Sequence, residues 1–238
     1  MFKYKSALVK QRIKYLINGN FHGVSANWLE KQGVNLSPST THFVSSSEHM
    51  DDLSLLDIEE GARVFERIVS DKSGTNYRKN YDCEAGLASF LYAYILARKP
   101  KVVIETGIAN GITTNVIMSA LEKTGGLLHS FDVDPATSNV YSGSGKWRFH
   151  LLSGNLNRNF STQISEIPSI DLWLHDSDHG YVWQTFEYAL AINALKPNGV
   201  LVSDDIDSST AWGYTTDLLF RASYGVFDKR KFFGVAIV

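Results

Sequence analysis

The chain has 238 residues, with 23 Lys and Arg against 25 Asp and Glu and a formal net charge of −2. That balance excludes a global electrostatic pull toward nucleic acid or an anionic membrane surface. Hydrophobic residues make up 44% and charged residues 20%, so the chain has material for a sizeable core and is not expected to be disordered. The single cysteine, Cys83, excludes an intrachain disulfide and fits a reducing compartment. No apolar run approaches the roughly 20 residues a membrane helix needs. The basic N-terminus lacks the apolar stretch and cleavage site of a secretory signal, so a cytoplasmic setting is expected.

Residues 1–80 are irregular in texture and read as an N-terminal extension, a lid or an oligomer contact. Within them, Met1–Ile17 reads as a helix with its basic residues outward. Leu53–Val69 reads as a second helix, because Leu55, Ile58, Ala62, Phe65 and Val69 recur at three- and four-residue steps. From residue 81 to 238, helices and strands alternate. Glu84–Arg98 reads as a helix ended by Lys99-Pro100. Lys101–Glu105 is a β-branched run typical of a buried strand. Thr113–Lys123 is helical and stops at Gly125-Gly126. Strands follow at Leu127–Phe131 and Arg148–Leu152, then a helix at Leu156–Ile164 and a strand at Asp171–His175. A helix over Val182–Leu195 ends at Lys196-Pro-Asn-Gly199. Val200–Ser203 is a strand and Ala211–Arg221 a helix. Tyr224–Phe227 and Phe232–Val238 form a closing hairpin. The alternation predicts an α/β, Rossmann-like, doubly wound sheet, mostly parallel with an antiparallel C-terminal hairpin.

In such sheets ligands bind at the carboxyl ends of the strands. The first strand ends in Glu105-Thr-Gly107-Ile-Ala109-Asn110-Gly111, followed by a helix. Gly107 permits a sharp turn and Gly111 a close approach to a ligand. Thr113 and Thr114 are placed to cap the helix. A dinucleotide site would read G-x-G-x-x-G, with a pyrophosphate on the helix N-terminus. Here the pattern is E-x-G-x-x-x-G, and a glutamate would repel a pyrophosphate but suit a cationic ligand. The second strand ends in Phe131-Asp132-Val-Asp134-Pro135, and the carboxylate nearer the strand, Asp132, is the candidate for two ribose hydroxyls. After the third strand comes Ser153-Gly154-Asn155. Asn155 is placed to meet an adenine or simply to make a turn.

The fourth strand ends in His175-Asp176-Ser-Asp178-His179 and the fifth in Ser203-Asp204-Asp205. A parallel sheet brings these to one edge. Clustered acids raise one another's pKa unless a cation neutralises them, and oxygen ligands suit Mg²⁺, Ca²⁺ or Mn²⁺. His179 is a candidate base, since its ordinary pKa lies near neutrality. Of the aromatics near these loops, Trp173, inside a strand, is expected in the core. Trp212, beside Tyr214, is expected to line an acceptor pocket.

These pieces resemble the class I S-adenosylmethionine-dependent methyltransferases, and within them the small-molecule O-methyltransferases of the macrocin O-methyltransferase group. The resemblance spans roughly residues 80–238. It implies that Glu105, Gly107, Ala109, Asn110, Gly111, Thr113, Asp132, Asn155 and Asp176 form the cofactor site, with Asn155 standing where many relatives have an acid. It implies a divalent cation, Mg²⁺ for example, on Asp176, Asp204 and Asp205, and Asp178 as a proton acceptor alongside His179. The expected partner is a small-molecule hydroxyl compound, a sugar or a natural product, with no nucleic acid or membrane. A homo-oligomer is compatible with the extension. The alternatives are a metal-independent methyltransferase acting on oxygen or nitrogen, or another enzyme or cofactor-binding module on the same fold.

Overall fold

The computed structural model describes residues 58–71, 82–219, 222–228 and 231–238. The helix expected over residues 1–17, most of the extension, and Arg221 lie outside the described residues. Helices α1 (Ile58–Asp71) and α2 (Ala85–Arg98) precede the sheet. Then come β1 (Val102–Thr106), α3 (Ile112–Thr124), β2 (Leu127–Asp132), a 3₁₀ turn over Pro135–Asn139, β3 (Lys146–Leu151), α4 (Leu156–Ser165) and β4 (Ile170–His175). Helix α5 (Tyr181–Ala194), β5 (Leu195–Ser203), α6 (Ala211–Leu219), β6 (Ala222–Asp228) and β7 (Lys231–Ile237) complete the chain. The 3₁₀ turn was not foreseen. It is set by Asp134, whose carboxylate accepts from the Ala136 amide while Pro135 fixes the first φ.

The seven strands run in the order β3-β2-β1-β4-β5-β7-β6. Pairs among β1 to β5 are parallel, and β7 is antiparallel to both β5 and β6. The expected mixed, doubly wound sheet is therefore present. Successive side chains feed opposite layers. Val103, Leu172, Leu174, Val200 and Val202 pack with α2 and α3 on one face. Ile104, Trp173 and Leu201 pack with α4, α5 and α6 on the other. The strand order reverses between β1 and β4, which places a crevice between the ends of those strands.

Helix α1 packs on α2 and α3 through a face that only partly coincides with its apolar repeat, Phe65 packing against the core. Gly61, Val64 and Ile68 are buried, and Val69 is exposed. The reason is a close approach: a Cβ on Gly61 would fall 2.7 Å from the Ser89 Cα. The helices touch through that glycine, which turns the rest of α1 with it. Lys123 locks the contact, donating to Glu60 at 2.8 Å and to the Tyr92 hydroxyl at 2.6 Å. At the far side, Glu84 occupies the cap position of α2 without a side-chain cap bond. Instead the Asp228 carboxylate on β6 accepts from the Leu87 amide at 2.8 Å.

Trp212 is a correction. It is wholly buried and meets the Tyr188 ring edge-on at 5.7 Å. Gly234 leaves the space for its indole, which a Cβ there would strike. Trp212 is core, like Trp173, while Tyr214 is the exposed aromatic of α6. No helix among the described residues is long and apolar enough to cross a membrane.

Candidate active site

The loop after β1 turns through Gly107 at φ 79°, Ala109 at φ 46° and Gly111 at φ 70°. Glycine is required at 107 because a Cβ would lie on the Asp176 carbonyl oxygen. The Asp176 amide in turn donates to the Thr106 carbonyl at 2.9 Å. The ends of β1 and β4 are thus in direct backbone contact.

Glu105 sits beneath this loop rather than in it. It is wholly buried and accepts from Thr113 at 2.6 Å, Thr114 at 2.8 Å and Ser130 at 2.6 Å. This replaces one expectation: the two threonines serve Glu105 rather than the helix start, where Gly111 is an N-cap without a side-chain bond. Burial pushes the Glu105 carboxyl up to about 7, against the opposing pull of the three hydroxyls. Asn110, also buried, donates to Asp82 at 2.8 Å, tying the loop to the segment before α2.

Asp132 stands at the end of β2, partly exposed. Its Oδ2 accepts from the Ile108 amide and its Oδ1 from the Asp134 amide, both at 2.8 Å. Each oxygen retains a lone pair, so the group both fixes the loop and remains able to accept from hydroxyls. Asn155 is the N-cap of α4, its side chain accepting from the Arg158 amide at 3.1 Å.

Across the crevice, His179 Nε2 lies 3.8 Å from Asp176 Oδ1 and 3.6 Å from Asp205 Oδ2. All three side chains are partly exposed, while Asp204 is buried. Asp205 reaches this position through a left-handed turn at φ 46°. Asp178 is exposed and accepts from the Gly180 amide at 2.8 Å, shaping the entry to α5. Among the described residues, no three His, Cys, Asp or Glu side chains are grouped to hold a metal ion. Asp176 and Asp205 both approach the same imidazole nitrogen.

One buried charge was missed. Glu187 on α5 is wholly buried and accepts from Thr106, from Trp173 at 2.9 Å, from Ser177 at 2.8 Å and from Trp183 at 3.1 Å. Its Oε2 also pairs with His175 Nδ1 at 2.9 Å. Burial opposes its ionisation, but the His175 imidazole and these donors together hold it below the usual carboxylate value. The available signal was polarity on a buried face: Gln184, Glu187, Tyr188 and Ala191 share one side of α5.

A family model described as a methyltransferase domain matches residues 104–206, the span from β1 to the loop after β5. That stretch of the chain is similar to a methyltransferase domain. Solved structures with the same fold include an O-methyltransferase from Bacillus cereus in complex with S-adenosylhomocysteine. It has 12% identity and a TM-score of 0.53, covering 80% of this chain and 96% of that one. TomG, an O-methyltransferase of tomaymycin synthesis from Streptomyces achromogenes bound to S-adenosylmethionine, has 10% identity and a TM-score of 0.53. That match covers 82% of this chain and 99% of TomG. MycE from the mycinamycin pathway, in complex with Mg, S-adenosylhomocysteine and mycinamycin VI, has 13% identity and a TM-score of 0.54. It covers 74% of this chain and 54% of MycE. None of the curated proteins matches the sequence. The matched span contains the glycine loop, Asp132, the Asp176–His179 segment, Glu187 and Asp205.

Proposed function

We propose that this protein is an S-adenosylmethionine-dependent O-methyltransferase acting on a small-molecule hydroxyl, in a sugar or a natural product. One observation carries the reading: the glycine loop with Asp132 and the Asp176–His179–Asp205 cluster converge on the crevice where the strand order reverses. The three relatives described above, two bound to S-adenosylhomocysteine and one to S-adenosylmethionine, support the cofactor. When bound, that cofactor supplies an already activated methyl group. The chain's task is to place a hydroxyl in line with it and to take the proton.

Asp132 accepts the ribose hydroxyls with its remaining lone pairs. Gly107 and Gly111 keep side chains out of the cofactor's way. His179 takes the hydroxyl proton, and the positive charge that results at Nε2 is stabilised by Asp176 and Asp205. Asp178, bound to the Gly180 amide, shapes the loop that presents His179. Asp204 is buried. The proposed step runs through the chain's own residues.

The test has two arms. Titration calorimetry with S-adenosylhomocysteine should show saturable one-site binding to the full chain. Transfer of labelled methyl groups should then be screened over hydroxylated sugars and phenolic or macrolide compounds, with and without a chelator. Absence of S-adenosylhomocysteine binding would sink the reading. Turnover that disappears with chelator and returns with Mg²⁺ would add a divalent cation, held by Asp176, Asp204 and Asp205, to this reading.

A further inference from the structure

We propose that Glu187 is a positioning residue that couples the cofactor side of the crevice to the acceptor side. The proposal rests on the functional reading above and goes beyond it, because Glu187 touches neither ligand in that reading.

The geometry is a hub. Five donors face one carboxylate: the Thr106 hydroxyl, the Trp173 and Trp183 indoles, the Ser177 hydroxyl and His175 Nδ1. Two carboxylate oxygens offer about four lone-pair sites, so the acceptor is fully used. Thr106 leads directly into Gly107. His175 and Ser177 flank Asp176. Trp183 and Ser177 also bond each other at 2.9 Å, which fixes the start of α5 and the loop carrying His179. A single side chain thus holds the residue before the glycine loop and both neighbours of Asp176.

A charge in this place is costly. Removing a carboxylate from water costs several kcal/mol, and an apolar residue of similar volume would serve a purely packed interior as well. What an apolar residue cannot do is set the directions of five donors. Because Glu187 accepts at Nδ1, the His175 proton is fixed there, and Nε2 is left buried without a hydrogen-bond partner. The His175 ring stands edge-on to His179, 89° between planes and 5.4 Å between centroids. A shift of Glu187 is therefore felt by the imidazole beside the proposed base. A shift of Thr106, on cofactor binding, is felt by Glu187.

Imidazole NMR on protein labelled with ¹⁵N-histidine tests this, with S-adenosylhomocysteine as the probe. In the wild type, saturation should move the His175 Nδ1 proton resonance. Thr106→Val removes one spoke while keeping the shape. It should weaken S-adenosylhomocysteine binding about tenfold, the scale of one hydrogen bond to a charged group, and abolish that movement. Glu187→Gln, which replaces an acceptor oxygen by a donor, should weaken binding further and displace both the His175 and His179 signals before any ligand is added. If Glu187→Gln does not fold, Thr106→Val carries the test alone. A His175 resonance unmoved at saturation overturns the coupling. So does a folded Thr106→Val that binds and responds like the wild type. A wild type that does not bind the probe at all overturns the cofactor reading and this proposal with it, and that outcome is read from the wild-type titration before any variant is made.

Discussion

At the ends of β1 and β2, Glu105 meets three hydroxyls at 2.6 to 2.8 Å and Asp132 meets two amides at 2.8 Å. At the ends of β4 and β5, His179 stands 3.8 and 3.6 Å from its two carboxylates, and all three groups keep some exposure. The first region is assembled before any ligand arrives. In the second, His179 is in range of both carboxylates but beyond hydrogen-bond distance of either, as is common for catalytic groups that tighten only around a substrate. The contrast matches the proposed roles. A cofactor common to many enzymes meets a rigid cradle, whereas the acceptor completes its own site.

Each side can be broken separately. Gly107→Ala should have the largest effect, because it combines a left-handed backbone with a collision against the Asp176 carbonyl. A loss of about 3 kcal/mol or more, with no detectable S-adenosylhomocysteine binding, is expected from thermal unfolding and calorimetry. Next comes His179→Gln, which should lower turnover of any acceptor by about 10² to 10⁴ while leaving S-adenosylhomocysteine affinity within about twofold. An equal loss of affinity would mean that the two regions are not separable in this way.

Glu105→Gln probes the rigid side through pH. The folded protein holds the Glu105 proton more tightly than the unfolded chain, whose carboxyl has the ordinary value of 4.5. The stability it contributes is therefore present in full below about pH 4.5 and is lost as pH rises toward about 7, on the order of 3 kcal/mol in all. Denaturant unfolding across that window should show the slope in the wild type and its loss in Glu105→Gln. Asp132→Ala removes acceptors from two loop amides as well as the proposed ribose contact. It should weaken S-adenosylhomocysteine by roughly 30-fold with a smaller loss of stability.

The smallest effect is expected away from both loops. His129 and His150 bond ring to ring at 2.8 Å, and burial first, then His150, lowers His129 to about 4. A depressed histidine contributes stability that is present above its ordinary 6.5 and lost as pH falls through about 4. His129→Phe should flatten the acid limb of the stability profile by a modest amount and leave S-adenosylhomocysteine binding unchanged. The same denaturant series reads this result.

The sheet was legible because its signal is local: β-branched runs, glycine stops and one hairpin. The loops at β1 and β2 were legible because glycine spacing and a following acid are also local. Other features depend on the third dimension. His129 and His150 are neighbours only because Phe131 pairs with His150 across β2 and β3. The face of α1 is set by Gly61 meeting Ser89, a contact between helices rather than a repeat within one. Trp212 looked like a pocket residue because it follows a loop, yet Gly234, on the last strand, makes room for it inside. Glu105 was read by its type, as an acid suited to a cation, and its burial under three hydroxyls required the fold. Glu187 was passed over for the converse reason, as one charge on a helix that was taken to be ordinary.

The bond from Leu87 to Asp228 joins residues 141 apart in the chain. During synthesis, α2 emerges early with an unsatisfied amide in its first turn, and its acceptor emerges near the end. The helix is thus made before any strand of the sheet and is among the last elements to be completed. Until β6 and β7 are made, the Phe90 ring of α2 lacks the Phe233 ring that covers it in the folded chain. The interval between those two events is a window in which that apolar surface is open to misassembly.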